Sequence, residues 1–184
     1  MPGHALLILA QGHEEVEALT QVDLLRRAEI TVTVAGLGGT VIKGAHNIAI
    51  TADIILQEFS GDFDAVILPG GMPGTNYLCE SEVVISTLRE ANAKGLICAA
   101  ICAAPMAFDK AGLLAGRKFT CYPSVAEKIS SGEYLEKAVV KDGNLITSRG
   151  VGTAIPFALR LIETLLHKEE AQKIASAVLY TGEW

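Results

Sequence analysis

The stretch Gly95-Leu96-Ile97-Cys98-Ala99-Ala100-Ile101-Cys102-Ala103-Ala104-Pro105 decides how this chain folds. Gly95 to Ile101 is apolar throughout. A run of strand length with no polar face fits a strand buried on both sides, as in a parallel sheet covered by helices. Cys102 ends the run, and helical spacing resumes over Ala103 to Leu114. A strand that turns sharply into a helix projects one side chain from the sheet edge, and small neighbours permit the strained backbone this needs. Here that side chain is Cys102.

Outward from this elbow the chain alternates between two periods. His4 to Ala10 reads as a buried strand, closed by Gly12 and followed by a helix over Glu14 to Ala28. Acidic residues open that helix and Arg26-Arg27 close it, which suits its dipole. Ile30 to Ala35 is the next strand, and Gly38-Gly39 marks a turn. Thr40 to Ile55 reads as short strands or an irregular excursion. Asp64 to Leu68 is a strand running into the loop Pro69-Gly70-Gly71-Met72-Pro73-Gly74. Ser81 to Lys94 has helical spacing. Beyond the elbow come Lys118 to Cys121, a helix near Ser124 to Ser131, and a hairpin of Ala138–Lys141 and Leu145–Ser148 around Asp142-Gly143. Gly152 to His167 and Glu169 to Leu179 close the chain as helices. No repeat or linker interrupts it, so residues 1–184 read as a single α/β domain with a mostly parallel central sheet and helices on both faces. Ligands in such folds bind outside the carboxyl ends of the strands.

Composition narrows the function classes. Of 184 residues 50% are hydrophobic and 5% aromatic, and the formal net charge is −6. An acidic, aromatic-poor chain with scattered Lys and Arg has neither the basic footprint nor the stacking platform of a nucleic-acid binder. The uncharged run Gly95–Phe108 contains Pro105 and falls short of the roughly 20 apolar residues of a membrane span. The apolar stretch Ala5–Ala10 lacks the basic flank and cleavage site of a signal peptide. Cys98 and Cys102 lie in apolar surroundings, which favours free thiols and a reducing, cytoplasmic setting.

Three strand ends carry candidate chemistry. Cys102 is either a nucleophile, its thiolate favoured by the following helix N-terminus, or a buried structural thiol. Gly70-Gly71 either presents bare N–H groups to an oxyanion or simply turns the chain. Glu14, Glu15 and Glu17 either pair with a helix dipole or supply a working carboxyl. Glu17 shares a helix face with Leu24 and Ala28, so it can point inward, where burial raises a carboxyl pKa. A protonated Glu17 can donate to a Cys102 thiolate and act as general acid and base. His4 and His167 sit at element ends, and His13 and His46 in loops. There is no phosphate-binding loop, no dinucleotide glycine motif and no metal-ligand spacing, because Cys98 and Cys102 lack a second ligand pair. Cys79 and Cys121 carry no local signal.

Taken in order, several segments together resemble the ThiJ/PfpI superfamily over nearly the whole chain. They are Ile8-Leu9-Ala10 with Gly12, Glu14-Glu15-x-Glu17, Asp23-Leu24-Leu25-Arg26-Arg27, Val66–Gly71, Ala99–Pro105 and Thr147-Ser148-Arg149-Gly150-x-Gly152-Thr153-Ala154. The nearest branch is that of the parkinsonism-associated deglycase/glyoxalase and its bacterial relatives. The resemblance implies a flavodoxin-like sandwich of the class I glutamine amidotransferase-like kind, and a homodimer. It implies Cys102 as the reactive, oxidisable thiol, Glu17 as the protonated carboxyl beside it, and the N–H groups of Gly71 and Ala103 as oxyanion donors. Gly70, Glu14, His13 and Tyr122 become neighbours of the substrate site.

The implied chemistry is cofactor-free and metal-free action on methylglyoxal, glyoxal or their adducts, with protection against carbonyl and oxidative stress. Redox sensing with chaperoning, or amidase/peptidase activity, are the other roles within the superfamily. The chain departs from the pattern at three places. Tyr122-Pro123 replaces a His-Pro pair, Val151 stands where proline is frequent, and His46 stands where some members place arginine. The missing histidine weighs against an amidase, whose amine leaving group needs a good general acid.

Overall fold

The computed structural model describes residues 3–184. Its main sheet has seven strands in the order β10-β11-β7-β6-β1-β2-β5. These are β1 (His4–Leu9), β2 (Thr31–Gly36), β5 (Ile54–Ile55), β6 (Ala65–Leu68), β7 (Ile97–Ile101), β10 (Val139–Asp142) and β11 (Leu145–Ser148). Every pairing is parallel except the β10–β11 hairpin at one edge. The apolar runs at β1, β6 and β7 lie at the centre, buried on both faces, as an all-apolar strand must.

Helices cover both faces, which gives the flavodoxin-like sandwich expected. One face packs α1 (Glu15–Arg27), α6 (Ala154–Leu165) and α7 (Lys168–Ala177) against Leu7, Ile67 and Ile101. The other packs α2 (Gly74–Glu80), α3 (Glu82–Ala93) and α4 (Pro105–Ala111) against Leu6, Val66 and Ala100. Alternate strand residues thus feed opposite cores, the period of two that a pleated strand imposes. Ser81 caps α3 by accepting the Val84 N–H, and α1 carries Glu15 and Glu17 in its first turn and Arg26 and Arg27 in its last.

Several boundaries differ from the sequence reading. The excursion at 40–55 resolves into a separate hairpin, β3 (Val41–Lys43) with β4 (Ala49–Thr51), followed by β5 on the main sheet. The Gly/Pro loop is shorter than expected, because α2 starts at Gly74 and its proline-flanked sequence hides the helical spacing. α4 begins only at Pro105, which fits the first helical turn, and stops before Gly112, whose φ of +80° suits glycine. Lys118–Phe119 is a two-residue strand, β8, paired in parallel with β9 (Glu133–Tyr134) apart from the main sheet, and the helix after it, α5, covers only Pro123–Ala126. None of the described helices is long and apolar enough to cross a membrane.

Chain order leaves β1 in both directions, to β2 on one side and to β6 on the other. That reversal opens a crevice at the carboxyl edge between them. The residues after β1, β6 and β7 converge there.

Candidate active site

Cys102 follows β7 with φ +64°. A left-handed backbone costs a residue with a side chain about 1–3 kcal/mol, so surrounding structure must impose it. Both backbone groups are tied: the Cys102 N–H donates to Ser148 O at 3.0 Å, and its carbonyl accepts the Tyr122 N–H at 2.8 Å. Strand β11 on one side and the segment after β8 on the other thus clamp the elbow. Ala103 and Ala104 are buried, and the thiol is half-buried.

Glu17 is fully buried in the first turn of α1. Glu14 caps this helix, its carboxylate accepting the Glu17 N–H at 2.7 Å. Glu17 Oε2 accepts the Gly70 N–H at 2.9 Å, while Oε1 has no partner. Burial pushes this carboxyl up to about 7 against the pull of the Gly70 N–H and the adjacent Cys102 thiol. The unpartnered Oε1 is therefore the natural seat of a proton.

Burial and then the charge of Glu17 push the Cys102 thiol up to about 12, while the Ala103 and Gly71 N–H groups at its sulfur pull it down. The lowering expected from a helix N-terminus is absent, because α4 starts three residues on and burial outweighs it. Cys102 and Glu17 behave as a pair that holds one negative charge readily and two with difficulty. With the carboxyl at about 7 and the thiol at about 12, the single charge rests on Glu17, and it reaches the sulfur, facing the Gly71 and Ala103 N–H donors, when Glu17 takes up the thiol proton.

The two glycines make this approach sterically feasible. A Cβ on Gly70 would lie 2.7 Å from the Cys102 Cβ and 2.9 Å from Glu17 Oε2. Gly71 has φ +93°, and a Cβ there would lie 2.4 Å from the Glu14 backbone nitrogen. The bend also receives the Glu14 N–H on Gly70 O at 2.8 Å, so the loop after β6 and the start of α1 lock together.

The remaining candidates divide. Tyr122 lies at the site: its N–H holds the Cys102 carbonyl, and its half-exposed ring stands beside Gly150. His13 is buried under the same crossing, with Nδ1 3.0 Å from Ala10 O, Nε2 unpartnered, and its pKa lowered by burial. Its hydrogen bonds run to the loop framework, through Ala10 O and the Ala45 N–H on its own carbonyl. Glu15 is spent on the β3–β4 hairpin. Burial opposes its charge, yet the His46 ring and the N–H groups of His46 and Ile48 hold the carboxyl down at about 2. The His46 pKa is raised in return. Among the described residues Glu14, Glu15 and His46 are the grouping with metal-ligand atoms within 4.8 Å of one another, but the Glu15 oxygens already serve this clamp. Sequence reasoning did not assign roles to Ser148, Gly150 and Thr153. Their only signal was the Thr147–Ala154 motif, whose Ser148 and Thr153 hydroxyls bond each other and the local backbone.

A parallel α/β sandwich that strains a cysteine at the strand end belongs to the flavodoxin-like class built around an elbow. Within that class, residues 3–164 match the DJ-1/PfpI family, and the chain belongs to this family. It is 46% identical to "Protein dj-1beta" of Drosophila melanogaster, over 97% of this chain and 98% of that one. It is 34% identical to "Glutathione-independent glyoxalase DJR-1.2" of Caenorhabditis elegans, over 92% and 91%. The crystal structure of Drosophila melanogaster DJ-1beta superposes with a TM-score of 0.96 at 45% identity, covering 99% of this chain and 100% of that chain.

Proposed function

We propose that this chain is a cofactor-independent glyoxalase of small 2-oxoaldehydes that also acts on their adducts in the manner of a deglycase, and protects against carbonyl and oxidative stress. The observation that carries the reading is the Cys102–Glu17 pair, with one unpartnered carboxyl oxygen beside a thiol that faces two N–H donors. The relative named as a glutathione-independent glyoxalase supports it.

The reaction runs through this chain's own groups. Glu17 takes the Cys102 S–H proton as the sulfur adds to the aldehyde carbon of methylglyoxal, the C=O pair moves to oxygen, and the Gly71 and Ala103 N–H groups hold that charge. Glu17 gives its proton to the oxygen, forming a hemithioacetal, and as carboxylate removes the hydrogen on the same carbon to give an enediol. Reprotonation at the neighbouring carbon leaves a lactoyl thioester, which water cleaves to lactate and the free thiol. Purified protein with methylglyoxal and no glutathione is expected to form lactate, and Cys102→Ala to lose at least about a hundredfold in rate. Full activity in Cys102→Ala overturns the mechanism.

A second reading is redox sensing. Cys102 and Cys79 are half-buried while Cys98 and Cys121 are buried, and Cys102 has Glu17 beside it, whose protonated form would donate a hydrogen bond to a Cys102 sulfinate. After mild peroxide, mass spectrometry is expected to find oxidation first at Cys102; earlier oxidation of Cys79 or Cys121 removes this role. The proposal further takes residues 1–184 as one domain, acting as a homodimer on a small-molecule aldehyde in a cytoplasmic, reducing setting that keeps the four thiols free.

A further inference from the structure

Gly150 faces the reacting pair. A Cβ on this glycine would lie 3.5 Å from Tyr122 Cδ2 and 3.9 Å from Glu17 Oε1, both ordinary contact distances. The bare glycine therefore leaves room for one methyl group between an aromatic ring and the proton-bearing carboxyl oxygen. Conformation does not explain the glycine, since its φ of 163° is extended backbone open to any residue. The position is rigid as well. Thr153 Oγ1 accepts the N–H groups of Gly150 at 3.1 Å and Arg149 at 3.2 Å and lies 2.9 Å from Gly150 O, while Tyr122 is held to the Cys102 carbonyl.

We propose that Gly150 and Tyr122 form a methyl slot that sets substrate specificity: it takes the carbon substituent next to the aldehyde, so the site selects 2-oxoaldehydes with a small apolar substituent over glyoxal. This rests on the glyoxalase reading above. In a hemithioacetal at Cys102 the neighbouring carbonyl carbon lies beside Glu17, which must reach it to move a proton. Its substituent then falls into the space beside Oε1, against the Tyr122 ring. A methyl group there gains apolar contact that the hydrogen of glyoxal cannot make. One methyl group in a fitted pocket discriminates by roughly 10-fold or more.

The slot holds either a substrate methyl or a residue-150 Cβ, not both. Gly150→Ala is therefore expected to fold normally, and its own rate of alkylation by iodoacetamide without aldehyde is the baseline against which protection is read. Its preference for methylglyoxal over glyoxal is expected to fall at least about fivefold. Tyr122→Ala removes one wall, lowering the same preference and admitting phenylglyoxal. The readout is protection of Cys102 from iodoacetamide by each aldehyde, with the ratio of kcat/KM values beside it. Protection needs no turnover, so it separates two failures. Protection by neither aldehyde overturns the slot together with attack at Cys102. Equal protection ratios in wild type, Gly150→Ala and Tyr122→Ala overturn the slot alone, and absence of lactate despite selective protection overturns the glyoxalase reading while the slot stands.

Discussion

Glu17 is the residue on which binding and chemistry diverge. Its side-chain amide counterpart, Glu17→Gln, can still accept the Gly70 N–H and still donate toward sulfur, but it cannot exchange a proton. Turnover of methylglyoxal in Glu17→Gln is therefore expected to fall by about 10²-fold or more, with alkylation of Cys102 retained. Loss of both together would show that Glu17 only shapes the site. Stability gives an independent check. The carboxyl sits at about 7 in the folded chain against an ordinary 4.5, so the folded state binds the proton more tightly than the unfolded one. Its stabilising contribution is present below pH 4.5 and is lost as pH rises to 7, a change of about 3 kcal/mol. Glu15 has the opposite sign, since its carboxyl is held at about 2 and its contribution is lost as pH falls below 4.5. Urea unfolding of wild type and Glu17→Gln from pH 4 to 8 isolates the Glu17 part. The stability difference is expected to move in favour of the variant as pH rises, and a constant difference contradicts the buried protonated carboxyl.

At the scale of elements, the loop after β6 joins fold to site. Gly71 bends it against the start of α1 before α2 begins, and its own N–H faces the sulfur. Gly71→Ala brings both a strained φ and a backbone collision, so it is expected to cost about 2–3 kcal/mol and to displace that donor. Thermal unfolding and Cys102 alkylation should fall together; unchanged values for both would mean the loop relaxes without consequence. This loop also shows what sequence can reveal. The apolar strands β1, β6 and β7 were legible because burial on both faces removes polar residues. The Cys102 elbow was legible because small residues surround it. The inward turn of Glu17 followed from helical spacing with Leu24. The thiol pKa is raised where the sequence predicts a lowered one, because it depends on how deeply the sulfur is buried and on the charge of a carboxyl brought from another strand end. Gly150 is legible only as part of the Thr147–Ala154 motif, since the space it leaves between Tyr122 and Glu17 is set by three segments distant in the chain. The strand expected over Lys118–Cys121 and the helix expected near Ser124–Ser131 are shorter in the fold, and β9 is not foreseen, because this region is held by neighbours such as Thr147, whose hydroxyl accepts the Thr120 N–H, rather than by its own periodicity.

At the scale of the whole molecule, three of the apolar residues left outside are the surface on which the proposed homodimer is tested. Val16 and Leu19 lie one turn apart on α1 and are 49% and 44% exposed, and Ile48 on the β3–β4 hairpin is 54% exposed. The Glu15 carboxylate ties that hairpin to the start of α1, so the three residues form a neighbouring set rather than isolated exposures. Residues needed for neither core, on a rigid helix and a pinned hairpin, are what an isologous interface uses. Covering them would also shield the Glu15–His46 clamp, next to the helix turn that carries Glu17. Light scattering at micromolar concentration is expected to give the mass of a homodimer. Leu19→Glu places a charge in the middle of the set and is expected to give monomers of unchanged circular dichroism. A wild-type monomer refutes the dimer, and a Leu19→Glu dimer of wild-type affinity moves the interface elsewhere. If the monomeric variant keeps its Cys102 alkylation rate, the site is complete within one copy, as the contacts of Cys102 with Ser148, Tyr122 and Glu17 within a single chain predict.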